Sequence, residues 1–371
     1  MPTQDISTGQ DLASAFRGKR VLVTGHTGFK GGWLALWLSK LGAEVTGISL
    51  PAEGEDNLFD AARIGEIADH RIGDIRSSED FSRAVGDLDA DIVFHLAAQP
   101  IVRASYSDPV DTYATNVVGT AVVLEAARRM PSLKAVVVVT SDKCYENLEW
   151  DYGYRETDAM GGSDPYSASK ACTELLVTSY RRSFFSAPDA PLLASVRAGN
   201  VFGGGDWAPD RLFPDIVRGA LAGEPIIIRN RASVRPWQHV LEPLYGYLML
   251  GAKLLAEDAS MAEGWNFGPN ANGVVTVETL ANEIMSAWGS NGPRFMFNRN
   301  PADLHEAGVL RLDSSKAIAR LGWHPRLTLT QSVAMTVDWY RTHAAGSVDM
   351  QQYSLRQIDD FEQRGRLRRV A

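Results

Sequence analysis

Two hydrophobic rhythms alternate along the first half of the chain. Short runs that are apolar at nearly every position, Lys19-Arg-Val-Leu-Val-Thr24, Glu44-Val-Thr-Gly-Ile-Ser49, Asp91-Ile-Val-Phe-His95 and Ala135-Val-Val-Val-Val-Thr140, read as strands buried on both faces. Between them, Trp33-Leu-Ala-Leu-Trp-Leu-Ser-Lys-Leu41 and the stretches 81–88 and 113–129 carry apolar residues at helical spacing. Leu192-Leu-Ala-Ser-Val-Arg197, reached through the Pro-bearing loop Ser186-Ala-Pro-Asp-Ala-Pro191, adds a further strand. Strands alternating with helices predict an α/β fold, a doubly wound parallel sheet covered on both faces.

From Gly203 onward the pattern loosens into loops rich in Gly, Pro, Trp and Asn. The helical stretch 241–255 again has the character of the first half, so the two lobes are expected to interleave. The reading assigns 16–196 with about 230–258 to a nucleotide-binding domain, and 197–229 with 259–371 to a smaller C-terminal substrate lobe.

Composition narrows the function. The 371 residues are 45% hydrophobic with a formal charge of -8, and no Lys/Arg block is long enough to neutralise the phosphates of a nucleic acid. A single nucleotide remains admissible. The start of the chain is polar and lacks the basic and apolar regions of a secretory signal, and no apolar run reaches the roughly 18 residues of a membrane span. Cys144 and Cys172 lack metal-ligand spacing, which fits reduced thiols in a cytoplasmic protein and no metal centre.

Candidate chemistry begins where the first strand turns into a helix. Gly25, Gly28 and Gly31 sit at that turn, with Thr27, Phe29 and Lys30 among them, as a cradle that lets a pyrophosphate approach helix N–H groups. This is a Rossmann arrangement in a GxxGxxG spacing. His26 and Lys30 are charged or polar intrusions into the loop and are expected to be exposed. Ser49 stands where an acid usually selects NAD, yet no arginine follows to favour a 2'-phosphate, so NAD is the expected cofactor. Asp74 and Ile75 are placed beside the adenine, and Leu96, Ala97 and Ala98 along the cofactor.

A second cluster follows the fifth strand. Pro165 can start a helix that puts Tyr166 and Lys170 on one face, where an ammonium lowers the pKa of a phenol. In Thr140-Ser141-Asp142-Lys143, Ser141 or Thr140 can bond a sugar hydroxyl, Asp142 can donate a proton and Lys143 can accept one.

Gly25-xx-Gly28-xx-Gly31, Tyr166-xxx-Lys170 and Arg197-Ala-Gly-Asn200-Val-Phe-Gly203 together resemble the extended short-chain dehydrogenase/reductase superfamily. The loop Gly25-His-Thr-Gly-Phe-Lys-Gly31, with Thr140-Ser-Asp-Lys-Cys-Tyr145, Gly161-Gly-Ser-Asp-Pro-Tyr-Ser167 and Gly203-Gly-Gly-Asp-Trp207, is similar to the CDP-glucose 4,6-dehydratases within it. The likeness extends to Leu304-His-Glu-Ala307 and Leu312-Asp-Ser-Ser-Lys-Ala317. The resemblance implies oxidation at C4, loss of water across C5 and C6, and return of the hydride to C6. Tyr166 would take the C4 hydroxyl proton with Lys170 beside it, and Ser141 would bind that hydroxyl. Asp142 would protonate the departing C6 oxygen, and Lys143 would replace the usual glutamate as C5 base. Gln99, Asn200, Arg211 and Arg235 are assigned to the CDP-glucose substrate. Trp207 or Trp237 stacks on a base or packs in the core, and Arg103 and Tyr106 lie on a loop at the substrate cleft or on an ordinary surface loop. The resemblance also implies a homodimer or higher homo-oligomer, paired through the helices around Tyr113 and Tyr180, and a supply of deoxysugars to lipopolysaccharide O-antigens. A sugar-nucleotide 4-epimerase and a noncatalytic nucleotide-binding protein are the alternatives; the first needs no acid and base beyond Tyr166.

Overall fold

A computed structural model describes residues 9–228, 230–289, 295–297 and 308–367. The segment 304–307 and the tail beyond Leu367 lie outside the described residues.

The five apolar runs form the strands β1 (Arg20–Thr24), β2 (Glu44–Ser49), β4 (Ile92–His95), β5 (Ala135–Val139) and β6 (Leu192–Ala198), and the polar, mostly exposed β3 (Asp69–Ile72) falls between β2 and β4 in the chain. Shorter strands follow in the second half: β7 (Asn200–Phe202), β8 (Ile226–Ile228), β9 (Val234–His239), β10 (Gly264–Phe267), β11 (Val274–Thr276) and β12 (Phe295–Phe297). Seven of them make one sheet in the order β10-β6-β5-β4-β1-β2-β3, parallel throughout.

Alternation along each strand divides the core between the two faces of this sheet. Val21, Val23, Phe94 and Val137 pack with Trp33, Trp37 and Tyr247, whereas Leu22, Val93, Val136 and Val138 pack with Phe81, Val123 and Leu124. Both faces being buried explains why β5 is apolar at every position.

The strand β10 departs from the sequence reading. It pairs with β6 from Gly264↔Ser195 to Phe267↔Ala198, although 259–371 was assigned to the substrate lobe. The signal was weak because Gly264-Trp-Asn-Phe267 is short and holds a buried Asn266, which the run criterion rejects. The helix Leu241–Leu255 is buried along almost its whole length and packs against β5. The remaining strands form β7-β9-β11 and a separate parallel pair, β8 and β12.

The order of the sheet reverses between β1 and β4, and the carboxyl ends of strands beside such a reversal leave a crevice for ligands. The far wall of that crevice is fixed from the C-terminal half. Trp33 Nε1 donates to the Gly204 carbonyl at 2.9 Å, and the Tyr340 hydroxyl donates to the Asp206 carbonyl at 2.5 Å. A Cβ on Gly204 would stand 2.0 Å from Trp339, so only glycine lets the loop lie this close.

Candidate active site

A single cleft of about 1990 Å³ runs from the glycine loop to β9. The glycines have separate tasks. Gly25 adopts a φ of +80°, and a Cβ there would meet the Ala97 nitrogen at 2.6 Å; on Gly31 it would meet the Gly25 carbonyl oxygen at 2.0 Å. Gly28, the N-cap of the helix Phe29–Lys40, is different: its nearest obstacle is the Gly25 oxygen at 3.4 Å, and it is exposed on the cleft wall. Two glycines therefore shape the turn, and the third keeps the helix N-terminus open to an anion. These features fit a dinucleotide's pyrophosphate.

Thr27, Phe29, Lys30, Asp74, Ile75, Leu96, Ala97 and Ala98 all line the same cleft. Thr27 Oγ1 donates to the Leu50 carbonyl at 3.0 Å. Asp74 is held by the Arg76 guanidinium at 2.7 Å, which keeps its carboxyl below the ordinary range, and Arg76 reaches on to Asp111 at 2.5 Å.

His26 is a correction: it is fully buried, not exposed. Its ring occupies the place of a side chain on Gly47, where a Cβ would approach within 2.2 Å of the ring. Its nitrogens bond Ser49 Oγ at 3.0 Å and His70 Nδ1 at 2.7 Å, and burial together with His70 pushes its pKa down to about 4. Lys30 is half-buried rather than exposed. Burial first, then the neighbouring Arg211, Lys170 and Lys143, pushes its amine down to about 7, with Asp142 opposing.

The chemical cluster sits at the carboxyl end of β5. Asp164 caps the helix Pro165–Ser183 by accepting from the Ser167 N–H at 2.9 Å, and the helix carries Tyr166 and Lys170 on one buried face. Ser105 Oγ accepts the Tyr166 N–H at 3.1 Å, which fastens the short helix Val102–Ser107 to the start of this helix; Arg103 and Tyr106 thus stand on a helical turn and not on the loop the sequence suggested. Ser141 starts a short turn, its Oγ accepting the Lys143 N–H at 3.3 Å and hydrogen-bonded to the Tyr166 phenol. Lys143 Nζ lies 3.3 Å from Asp142 Oδ1 and 3.4 Å from Asn200 Oδ1.

Two expectations fail here. Burial raises the Tyr166 phenol to about 12, opposed by the Ser141 hydrogen bond and by Arg211, so the chain's own groups do not acidify it. The Lys170 ammonium lies 3.5 Å from the Val139 carbonyl, and burial pushes its pKa down to about 8. Asp142 also differs from expectation. It is fully buried behind Ser141 and Lys143, its Oδ1 accepting from Ser141 Oγ at 3.1 Å, and it forms no part of the cleft wall.

The residues assigned to the substrate line the cleft, several of them with partners of their own. Gln99 is tied to its loop through Thr112 Oγ1 at 2.9 Å and the Ile101 N–H at 2.6 Å. Arg211 pairs with Asp206 at 2.9 Å, and its charge also acts on the Tyr166 phenol. Arg235 donates to the Val234 and Gly308 carbonyls at 3.0 and 3.2 Å. Arg103 is an ion-pair partner of Asp210 at 3.8 Å across the cleft, and Tyr106 lines it nearby. Trp207 packs edge-on to Tyr340 with ring centres 5.0 Å apart, and Trp237 Nε1 donates to the Val275 carbonyl at 3.3 Å.

Sequence reasoning missed the supports. Asn116 stands in a π-helical turn, Ala114–Val118, and bridges the Gln99 carbonyl at 3.1 Å and Ser169 Oγ at 2.8 Å. Glu174, one turn beyond Lys170, is buried and paired with Arg197 at 2.8 Å. The spacing 166, 170, 174 on one face was the available signal.

A family model described as GDP-mannose 4,6 dehydratase matches residues 22–336. The chain is 48% identical over 350 residues to a CDP-glucose 4,6-dehydratase of Salmonella typhimurium, covering 93% of this chain and 97% of that one. It is 30% identical to a dTDP-glucose 4,6-dehydratase of Xanthomonas campestris over 87% of this chain and 93% of the relative. Among solved structures, the UDP-glucose 4-epimerase of Thermus thermophilus in complex with NAD superposes with a TM-score of 0.74 at 25% identity, covering 89% of this chain and all of that one. By the matched length and by the identity to these relatives, the chain belongs to the GDP-mannose 4,6 dehydratase family, among the sugar-nucleotide 4,6-dehydratases of the extended short-chain dehydrogenase/reductase superfamily.

Proposed function

We propose that this protein is an NAD-dependent CDP-glucose 4,6-dehydratase, a hydro-lyase that forms CDP-4-dehydro-6-deoxy-D-glucose. The observation that carries the reading is the meeting of Tyr166 and Ser141 with the Asp142–Lys143 pair at one end of the cleft that the glycine loop opens. An epimerase needs the first two; a dehydratase needs the acid and base as well. The choice of cytidine as base is supported by the 48% relative.

Held by the glycine loop, NAD would supply a reversible hydride acceptor. Its preference over NADP is supported by Arg76, whose donors are engaged by Asp74 and Asp111 rather than free for a 2'-phosphate. The chain's own groups do the proton work. Ser141 Oγ orients the C4 hydroxyl, and Tyr166 Oη accepts its proton. Lys170 holds the ammonium that favours the phenolate in the loaded site. With a ketone at C4, the C5 proton is acidic; Lys143 Nζ, once deprotonated, removes it, and Asp142, set behind the cleft wall, supplies the proton for the departing C6 oxygen by way of Ser141 Oγ, 3.1 Å away. Arg211 and Arg235 hold the substrate's diphosphate, with Asn200 orienting both Lys143 and the substrate.

Apolar side chains exposed on the helices 109–127 and 165–183, Val110, Val118 and Leu175 among them, support pairing of two copies through these helices. Sedimentation of the purified protein tests that point; a monomer overturns it. No helix among the described residues is long and apolar enough to cross a membrane. Supply of a deoxysugar precursor for O-antigen in the cytoplasm is the role this reading implies.

The deciding experiment incubates the protein with CDP-, dTDP-, UDP- and GDP-glucose and follows the alkaline absorbance of a 4-keto-6-deoxy product. Conversion of CDP-glucose ahead of the others is expected. Formation of a galactose-configured sugar nucleotide instead makes the protein an epimerase.

A further inference from the structure

Beneath Lys170 lies a buried charge network that none of the steps above uses. Glu174 follows Lys170 by four residues on the same helix face and is 2% exposed. Its carboxylate accepts from Thr140 Oγ1 at 2.5 Å, Ser195 Oγ at 2.7 Å, and Arg197 Nε and Nη2 at 2.9 and 2.8 Å. Arg197 Nη1 in turn donates to the Tyr145 hydroxyl at 2.6 Å, which donates to Asn266 Oδ1 at 2.8 Å. Thr140 and Tyr145 bracket Ser141, Asp142 and Lys143. One carboxylate is therefore tied directly to one end of the catalytic loop and through Arg197 to the other, while its own helix carries Tyr166 and Lys170.

A buried carboxylate is ordinarily costly to ionise. Burial does favour the neutral acid of Glu174, but Arg197 and the two hydroxyls outweigh it and hold the group ionised. The titratable groups acting on or felt from Lys170 are few. Cys144 is kept as a thiol by burial, and His95, whose ring bonds Thr24 and Thr120, is kept neutral by burial. Lys30 repels Lys170 from the glycine loop, and Tyr166 lies one turn before it. Glu174 is the carboxylate that opposes the desolvation of the Lys170 ammonium.

We propose that Glu174 is a positioning residue for the reaction: locked by Thr140, Ser195 and Arg197, it keeps Lys170, one helical turn after Tyr166, charged and sets the catalytic loop against the tyrosine helix. The inference rests on the function proposed above for the meaning of that charge, but the charge itself can be read without substrate.

Replacing Glu174 alone leaves the buried Arg197 without its counterion and can unfold the protein. The test therefore pairs Glu174→Gln with the double variant Glu174→Gln/Arg197→Met, which removes both charges together. The Lys170 titration is followed in the full chain by carbon NMR of lysine labelled at Cε, its peak assigned with Lys170→Arg. In the folded double variant the Lys170 midpoint falls by about one pH unit, and the alkaline limb of kcat moves down by the same amount. A Lys170 midpoint unchanged in the double variant overturns the proposal, as does a uniform loss of kcat with the wild-type pH profile. Failure of the protein to turn over CDP-glucose bears on the function alone, because the NMR midpoint is read without substrate.

Discussion

Lys143 Nζ lies 3.3 Å from Asp142 Oδ1, so the two groups proposed to take and give protons at C5 and C6 begin as an ion pair. An ammonium in such a pair cannot accept a proton. Elimination then requires the proton on Lys143 to leave first, and Asp142, fully buried, is its nearest acceptor. A transfer from Lys143 to Asp142 would make the base and the acid in one step. Lys143→Met should therefore retain reduction of NAD on mixing with CDP-glucose, seen as nicotinamide absorbance in a single turnover, and lose exchange of the C5 hydrogen with deuterium oxide. Wild-type exchange in this variant would remove Lys143 from the role.

Tyr166→Phe removes the proton acceptor and leaves a ring of nearly the same volume. Loss of one general base typically costs a hundred- to ten-thousand-fold in rate, and kcat is expected to fall by about that range. Binding of NAD and of CDP, followed by calorimetry, should change by no more than a few-fold. A variant that turns over within about threefold of wild type contradicts the assignment. Because burial places the phenol of the chain alone near 12, a spectrophotometric titration of Tyr166, read as the difference between wild type and Tyr166→Phe, should show its phenolate forming at lower pH with NAD bound than without it.

How much of this was legible depended on whether a residue announces itself locally. The five apolar runs and the three glycines do so, since burial on both faces and tight turns dictate residue types position by position. Tyr166 and Lys170 were legible from a spacing. Their environment was not: the phenol's pKa depends on burial and on Arg211, 45 residues away in sequence and brought near by the loop that Trp33 and Tyr340 fasten. His26 was misjudged for the same reason, because the space that admits its ring is made by Gly47 on the next strand. Strand β10 escaped because its buried Asn266 is satisfied by Tyr145 and by the Tyr154 carbonyl, partners no local pattern could supply.

Lys30 gives a pH dependence with a definite sign. Its amine, near 7 in the folded chain, is charged below that pH and neutral above it, and only the charged form attracts a diphosphate. Affinity for NAD is expected to fall as pH rises through 7, with a slope of at most about tenfold per pH unit for one proton. In Lys30→Met the affinity should be weaker at pH 6 and nearly independent of pH up to 8.5, the two proteins converging at the alkaline end. Parallel curves for wild type and variant would show that Lys30 does not meet the cofactor's charge.

The glycine loop separates folding from binding. At Gly31 an added methyl would stand 2.0 Å from a backbone oxygen that cannot swing away, so Gly31→Ala should lower stability by about 1–3 kcal/mol in urea unfolding. At Gly28 the φ of -80° suits any residue and the nearest atom is 3.4 Å off, so Gly28→Ala should unfold within about 0.5 kcal/mol of wild type. The same methyl projects from the wall where a pyrophosphate must approach the helix N–H groups, and NAD affinity should drop at least about tenfold. The contrast is the informative part. If Gly28→Ala bound NAD as tightly as wild type while folding normally, the opening over that residue would not be where the cofactor's phosphates lie.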